Sequence, residues 1–294
     1  MTDRPAIVLD GKALAQAVRV QLRQEAEAVS VELGRKPSLA VVLVGDDPAS
    51  QVYVKSKSKL ASQCGIIPRD VLLPSDCSNL KLADTLSSLC ADNQIDGVLL
   101  QLPLPSHLNE FEALCAIDPS HDVDGLHPVN QGLLVRHEDT FVPCTPAGVM
   151  ALIEYARIKL DVSSDLSGLH AVVVGRSVLV GKPVGMLLLQ KNCTVTYCHS
   201  RTVKLAAHCK QADILVVAVG MPGVIGSAHI KRGAIVIDVG INRLSSGAIV
   251  GDVIFDEALS VAGAVTPVPG GVGPMTIAML LKNTIKAARS KIRF

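Results

Sequence analysis

Short apolar runs rich in Val, Ile and Leu alternate along this chain with longer stretches whose apolar residues recur every three or four positions. This alternation limits the fold more than any single motif does. The pattern predicts helix 11–33, strand 39–44, helix 49–63, strand 71–73, helix 80–91, strand 97–102 and helix 108–116. Strands that return after intervening helices form a mostly parallel sheet, so the expected class is α/β. Composition agrees. Hydrophobic residues make up 49% and aromatics only 2%, the usage expected of buried parallel strands covered by helices.

Periodicity fades from 118 to 146, "DPSHDVDGLHPVNQGLLVRHEDTFVPCTP", and a stretch this long without a pattern reads as functional or as a boundary. A second series starts at Leu169: strand "HAVVVG", helix 183–190, strand "TVTYC", a short helix near 203–211, strands "ILVVAVG" and "AIVIDVG", and a hairpin "RLSSGAIVGD". A strand-like "AVTPV" then leads through "PGGVGPMT" into a last helix with an apolar stripe, expected to return to the first domain. With 294 residues, two domains are the first expectation: a first domain over 1–146, rejoined by 275–294, and a second over 147–274.

Basic and acidic residues number 28 and 27, for a net charge of +1, and no basic run is interleaved with aromatics, which argues against nucleic acid as a partner. The eight cysteines form no CxxC pair and no zinc spacing with histidine, so they read as reduced small hydrophobes and no metal is expected. The start "MTDRPAIVLDGK" lacks the signature of a secretory leader, and no apolar run reaches membrane-spanning length. The expected setting is the cytoplasm.

"QVYVKSKSKLASQC" places Lys55 and Lys59 one turn apart, whereas Lys57 falls with Val52, Tyr53, Leu60, Ala61 and Cys64 on the apolar side. An ammonium in apolar surroundings needs a partner or a shifted pKa, which makes Lys57 a candidate base. The alternative is a lysine whose head reaches water along the edge of the stripe. Gln101 stands at the carboxyl end of a buried strand, the edge where open α/β sheets bind ligands. It could equally mark the strand's exit. Asp122 and Asp124 lie in "HDVDGLHP", where Asp before Gly is also ordinary turn chemistry. His107, His121, His127 and His199 are isolated and read as surface or loop histidines.

"AVVVGRSVLVGKPVGMLLL" reads as strand, glycine turn and helix, a place where backbone amides and a helix N-terminus hold a pyrophosphate. Its glycines, Gly175, Gly181 and Gly185, do not match GxGxxG, and a structural turn would use glycine too. The next strand ends at "YCHSRT", where an NAD site would usually carry an acidic residue on the ribose. Ser200 and Arg201 stand there instead and, with Arg176, favour the ribose phosphate of NADP. "PVPGGVGPMT" permits close approach of backbone to a flat ligand or serves as a rigid crossover.

Read together, "ASQVYVKSKSKLASQCGI", "GVLLQLPLP", "DVDGLHPVNQG", "PCTPAGV", "VVVGRSVLVGKPV", "VIDVGIN" and "TPVPGGVGPMT" resemble the bifunctional methylenetetrahydrofolate dehydrogenase/cyclohydrolases, in that family's order and over nearly the whole chain. The resemblance implies an N-terminal catalytic domain and a Rossmann-type NADP domain facing each other across a cleft, with the C-terminal helix packing back on the first. It implies tetrahydrofolate substrates, NADP as cofactor and a homodimer. It assigns Lys57 as the catalytic residue, Tyr53 against the substrate, Gln101 as hydrogen-bond partner of Lys57, and Asp124 as acceptor for the pterin ring. Gly175, Arg176, Ser177, Ser200 and Ile241 would line the NADP site, with Pro269, Gly270, Gly271 and Thr276 bordering the folate. Family members often carry lysine where this chain has His121, and Arg201 is variable among them.

Short-chain dehydrogenases also use Tyr-x-x-x-Lys, but after the glycine-rich loop rather than before it. Shikimate-type dehydrogenases share the two-domain order and lack the folate-side segments. A non-catalytic NADP sensor would have no use for Lys57 with Gln101 and Asp124, and no GxxxxGK[ST] loop is present for a ligase.

Overall fold

The computed structural model describes residues 5–293; residues 1–4 at the start of the leader reading, and residue 294, lie outside them. The chain forms two compact units. One comprises 145–276 with the chain up to Gln16; the other comprises 17–144 and 277 onward. The sequence division placed the first sixteen residues elsewhere. Of these, the described residues 5–16 go with the later segment because the strand Ile7–Val8, which the pattern missed, pairs in parallel with Ala264–Val265.

In the unit around 17–144, the strand Ser38–Val44 is buried at all seven positions. It lies between Ile67–Leu73 and Gly97–Leu100, all parallel. The three strand cores were legible, but the edge strand Ile67–Leu73 is longer than 71–73, since its mostly exposed residues blur the pattern. Helix starts follow their caps. Asp47 accepts from the Ser50 amide at 2.7 Å ahead of Pro48, and Ser78 and Asn109 accept from Lys81 and Glu112. The stretch read as patternless contains the helix Pro128–Val135, capped by the His127 ring on the Val129 amide. At its end the helix Cys144–Lys159 begins, a sixteen-residue element that the pattern also missed.

In the other unit six parallel strands form one sheet, in the order Ile7–Val8, Ala264–Val265, Ile235–Asp238, Ile214–Val217, His170–Val174, Thr194–Cys198. The strand order turns around His170–Val174, the switch point at which doubly wound sheets bind ligands beyond their carboxyl ends. Val172, Val174, Leu215, Val217, Val236 and Val265 share one core. Asn242–Arg243 and Ile249–Val250 form the expected hairpin. The short helix Phe255–Val261 was not legible. No helix among the described residues is long and apolar enough to cross a membrane.

Candidate active site

Lys57 sits in the middle of the buried stripe of its helix, with Val54, Ala61 and Cys64 buried at helical spacing on either side. Its neighbours on the wheel need correction. Val52 is 68% and Tyr53 45% exposed, so the stripe runs 54–57–61–64 and Tyr53 flanks it, one turn before Lys57. The Lys57 ammonium donates to Gln101 Oε1 at 2.9 Å. Gln101 is fixed in turn: its amide donates to Leu102 O at 2.6 Å and its backbone N–H to Val42 O at 2.8 Å. The acceptor therefore faces the lysine as a neutral dipole. Burial pushes the Lys57 pKa down from its ordinary 10.5, opposed by the nearby Asp124 and Cys144.

Asp124 is carried on a loop that runs beside the strand Gly97–Leu100. The Val98 amide donates to His121 O at 2.8 Å, and Val123 packs where a Cβ on Gly97 would stand 2.4 Å from its Cγ1. Asp122 holds the turn. Its carboxylate accepts from the Leu126 and His127 amides at 3.2 and 2.7 Å and from Asn130 at 2.8 Å. The turn-chemistry reading thus applies to Asp122. Gly125, at φ +72°, presses so closely on 141–143 that a Cβ would meet Pro143 N at 2.6 Å. Asp124 is partly exposed, and burial raises its carboxyl above the ordinary 3.8, against the pull of Lys57.

Two contributors were not found in the sequence. The buried Cys144 touches the Asp124 carboxylate, and its thiol donates to Val123 O at 3.3 Å; burial beside that carboxylate raises its pKa well above 9.0. Asn283 Nδ2, from the last helix, donates to Val123 O at 2.8 Å and Val142 O at 3.0 Å, clamping both sides of the loop. Its signal in the sequence was an amide among the buried positions Leu280, Thr284 and Ala287 of that helix. His121 is buried beside Lys291, whose ammonium also donates to Ile95 O at 2.6 Å.

In the other unit, Gly175 has φ +127°, and a Cβ there would lie 2.2 Å from Ala218 O. Gly181 abuts Gly175 O at 2.4 Å by the same measure, and Gly185 abuts Tyr197 Oη. Gly175 and Gly181 therefore close one tight turn without a GxGxxG spacing, and Gly185 lets the helix pack against Tyr197 of the next strand. Ser177 Oγ accepts from the Val180 and Gly181 amides at 3.1 and 3.3 Å, ordering the start of the helix Gly181–Gln190. Arg176, Ser200 and Arg201 are exposed, as is Ile241 at 54%. Pro269, Gly270 and Gly271 form a turn in this unit, and Thr276 pairs its hydroxyl with Thr145 at 3.0 Å. The structure thus brings Lys57, Tyr53, Gln101 and Asp124 into one unit, and Gly175, Arg176, Ser177, Ser200, Ile241 and 269–276 into the other. Among the described residues no group of acidic, His and Cys side chains could hold a metal ion.

Residues 9–124 match the catalytic domain, and residues 143–292 the NAD(P)-binding domain, of the tetrahydrofolate dehydrogenase/cyclohydrolase family. The chain is 53% identical to a bifunctional protein FolD of Moorella thermoacetica over 97% of its own length and 99% of that protein's. It is similar in structure to a FolD methylenetetrahydrofolate dehydrogenase/cyclohydrolase of Campylobacter jejuni, with TM-score 0.93 and 44% identity over 97% and 99% of the two chains. A Trypanosoma brucei FolD, in complex with NADP and an inhibitor, gives TM-score 0.91 at 38% identity over 99% of each chain. An NAD-dependent 5,10-methylenetetrahydrofolate dehydrogenase of Saccharomyces cerevisiae, at 19% identity and TM-score 0.80 over 98% of each chain, shares the fold.

Proposed function

The chain belongs to the tetrahydrofolate dehydrogenase/cyclohydrolase family, and from that premise we propose how its residues divide the family's two reactions. The enzyme oxidises 5,10-methylenetetrahydrofolate to the methenyl form with NADP, then hydrolyses the methenyl form to 10-formyltetrahydrofolate. The observation that carries the assignment of roles is the Lys57–Gln101 bond at 2.9 Å in a partly buried setting.

In hydrolysis, water adds to the methenyl carbon, a proton leaves that water, and the carbon–nitrogen bond opens as its nitrogen takes a proton. Lys57 handles both protons. A lysine held below its ordinary pKa passes through the neutral form more readily near neutral pH. Gln101 aims it without adding a charge that would pin it as ammonium. Asp124 accepts donors from the edge of the pterin, and Tyr53 lies along the substrate. In oxidation no strong base is needed, and alignment of the reactants contributes up to roughly 7–11 kcal/mol in well-oriented systems.

The turn at Gly175 fits a dinucleotide. A Cβ there would collide with Ala218 O, so the turn closes only on glycine, and Ser177 Oγ orders the Val180 and Gly181 amides where the next helix starts. Gly175 and Ser177 would hold the pyrophosphate, Arg176 and Ser200 the ribose phosphate, and Ile241 would line the ring. When bound, NADP accepts the hydride from the methylene carbon. The unit around 17–144 is read as the folate domain and the unit around 145–276 as the NADP domain, with Pro269, Gly270, Gly271 and Thr276 kept as folate contacts. The working form we infer is a cytoplasmic homodimer that meets small folates rather than nucleic acid or membrane, which the net charge of +1 supports.

The test follows NADPH and methenyl absorbance together when methylenetetrahydrofolate and NADP are added to wild type and Lys57→Ala. Wild type should form NADPH with little methenyl accumulation, and the variant should stall at ring opening by about 10²–10⁴-fold. Ring opening at the wild-type rate in Lys57→Ala would remove the lysine from the mechanism.

A further inference from the structure

The segments "VIDVGIN" and "IVGDV" have so far supplied only Ile241 to the cofactor reading, yet each also contributes a carboxylate to the interior. Asp238 is 3% exposed and Asp252 is fully buried. Asp252 Oδ2 accepts from the Val219 and Gly220 amides at 2.7 and 2.9 Å, and Oδ1 from the Met221 amide and Asn242 Nδ2 at 2.9 and 2.8 Å. Asp238 accepts from the Gly240, Asp252 and Val253 amides at 2.9, 3.0 and 2.9 Å. One carboxylate therefore fixes the backbone that carries the other.

The loops so held follow adjacent parallel strands. Residues 219–221 follow Ile214–Val217, and 240–242 follow Ile235–Asp238. Ala218, at the root of the first loop, is the residue whose carbonyl abuts Gly175, at the end of the third neighbouring strand, and its own amide donates to Val174 O at 2.8 Å. Asp252 thus ties together the carboxyl-end loops around the glycine turn. Two glycines show how tightly. A Cβ on Gly240 would stand 2.2 Å from Asp252 Oδ1, and one on Gly251 would stand 1.8 Å from Asp238 Oδ2. Four donors surround the Asp252 charge, so a nearby anionic ligand meets loop surface rather than a bare carboxylate.

We propose that Asp252, with its backbone held by Asp238, is a positioning residue for NADP: it shapes the floor of the cofactor site by holding 219–221 and 240–242 in place, without touching the cofactor. This rests on the reading of Gly175, Arg176 and Ile241 as the cofactor site.

The experiment measures KM for NADP, kcat at saturating NADP and the urea midpoint for wild type, Asp252→Asn, Asn242→Ala and Arg176→Ala. Asp252→Asn turns one acceptor into a donor, which faces N–H groups whichever oxygen it replaces. It should raise KM for NADP at least tenfold while kcat at saturation falls less than threefold. Asn242→Ala removes one of the four donors and should raise KM two- to fivefold, and it decides the matter if Asp252→Asn does not fold. A wild-type KM for NADP in the folded Asp252→Asn, or in Asn242→Ala where the first does not fold, would overturn the proposal. Equal losses in KM and kcat that scale with the urea midpoint would also overturn it, since they mark a merely structural role. An Arg176→Ala protein with wild-type preference for NADP over NAD would instead count against the cofactor reading itself.

Discussion

In the unit around 17–144, the groups aimed at the site are side chains. Lys57 reaches Gln101, and Asp124 stands on a loop held by Asp122, Gly125 and Asn283. In the unit around 145–276 the approach is made by backbone. Gly175, Gly181 and Gly185 bring main chain close, and Asp238 and Asp252 serve to hold loops. Each unit carries a pair of aspartates on its loops, but in the first only Asp122 is buried and Asp124 stays partly exposed, whereas in the second both are buried and every carboxylate oxygen accepts an amide. A carboxylate whose acceptors are filled acts as scaffold; one with capacity left can meet a ligand.

That contrast can be broken most severely at Gly175. Gly175→Val meets both φ +127° and Ala218 O, and the strain with the displaced loop should cost about 3 kcal/mol or more of stability. Urea unfolding checks this, and a loss under about 1 kcal/mol would mean that the turn yields easily. Next comes Asp238, whose carboxyl burial pushes up to about 6 despite three donor amides. Its folded-state pKa lies above the unfolded value of 3.8, so the stability it contributes is complete below pH 3.8 and is lost as pH rises through 6. The loss totals about 3 kcal/mol at most. Unfolding free energies at pH 4 and pH 7.5 should show this limb in wild type and lack it in Asp238→Asn; parallel profiles would contradict it.

The same substitution in the other unit separates scaffold from contact. Asp124→Asn keeps the loop, because Asp122 and Asn283 carry it, but removes a charged acceptor worth about 1.5–3 kcal/mol. KM for the folate should rise roughly 10–100-fold with little change in urea midpoint. A midpoint that falls with unchanged KM would make Asp124 a second Asp122.

The regular parts of both units could be read directly. The helix Gly11–Leu33 and the strand Thr194–Cys198 match their patterns residue for residue, since apolar residues every third or fourth position in the one, and Val195 alternating with Tyr197 in the other, leave a clear period. The helix Cys144–Lys159 did not, because Thr145, Pro146 and Gly148 at its start mimic a loop. Lys57 was legible as a charge out of place among apolar neighbours. Asn283 and Cys144 were not, because their importance lies in contacts to residues distant in the chain, 160 positions away for Asn283 and Val123. Asp252 looked like hairpin chemistry for the same reason: three of its four donors come from 219–221, about thirty positions away, and only Asn242 lies nearby.

The clamp by Asn283 also orders events during synthesis. Strand Gly97–Leu100 and the loop to Gly125 leave the ribosome long before the helix that completes them, and Ile7–Val8 waits still longer relative to its partner Ala264–Val265. A nascent chain therefore carries the lysine helix and its aspartate loop for most of its translation without the strut that sets their geometry. A ribosome stalled short of residue 283 would hold a polypeptide with every named catalytic group present and the loop beneath Asp124 still unbraced.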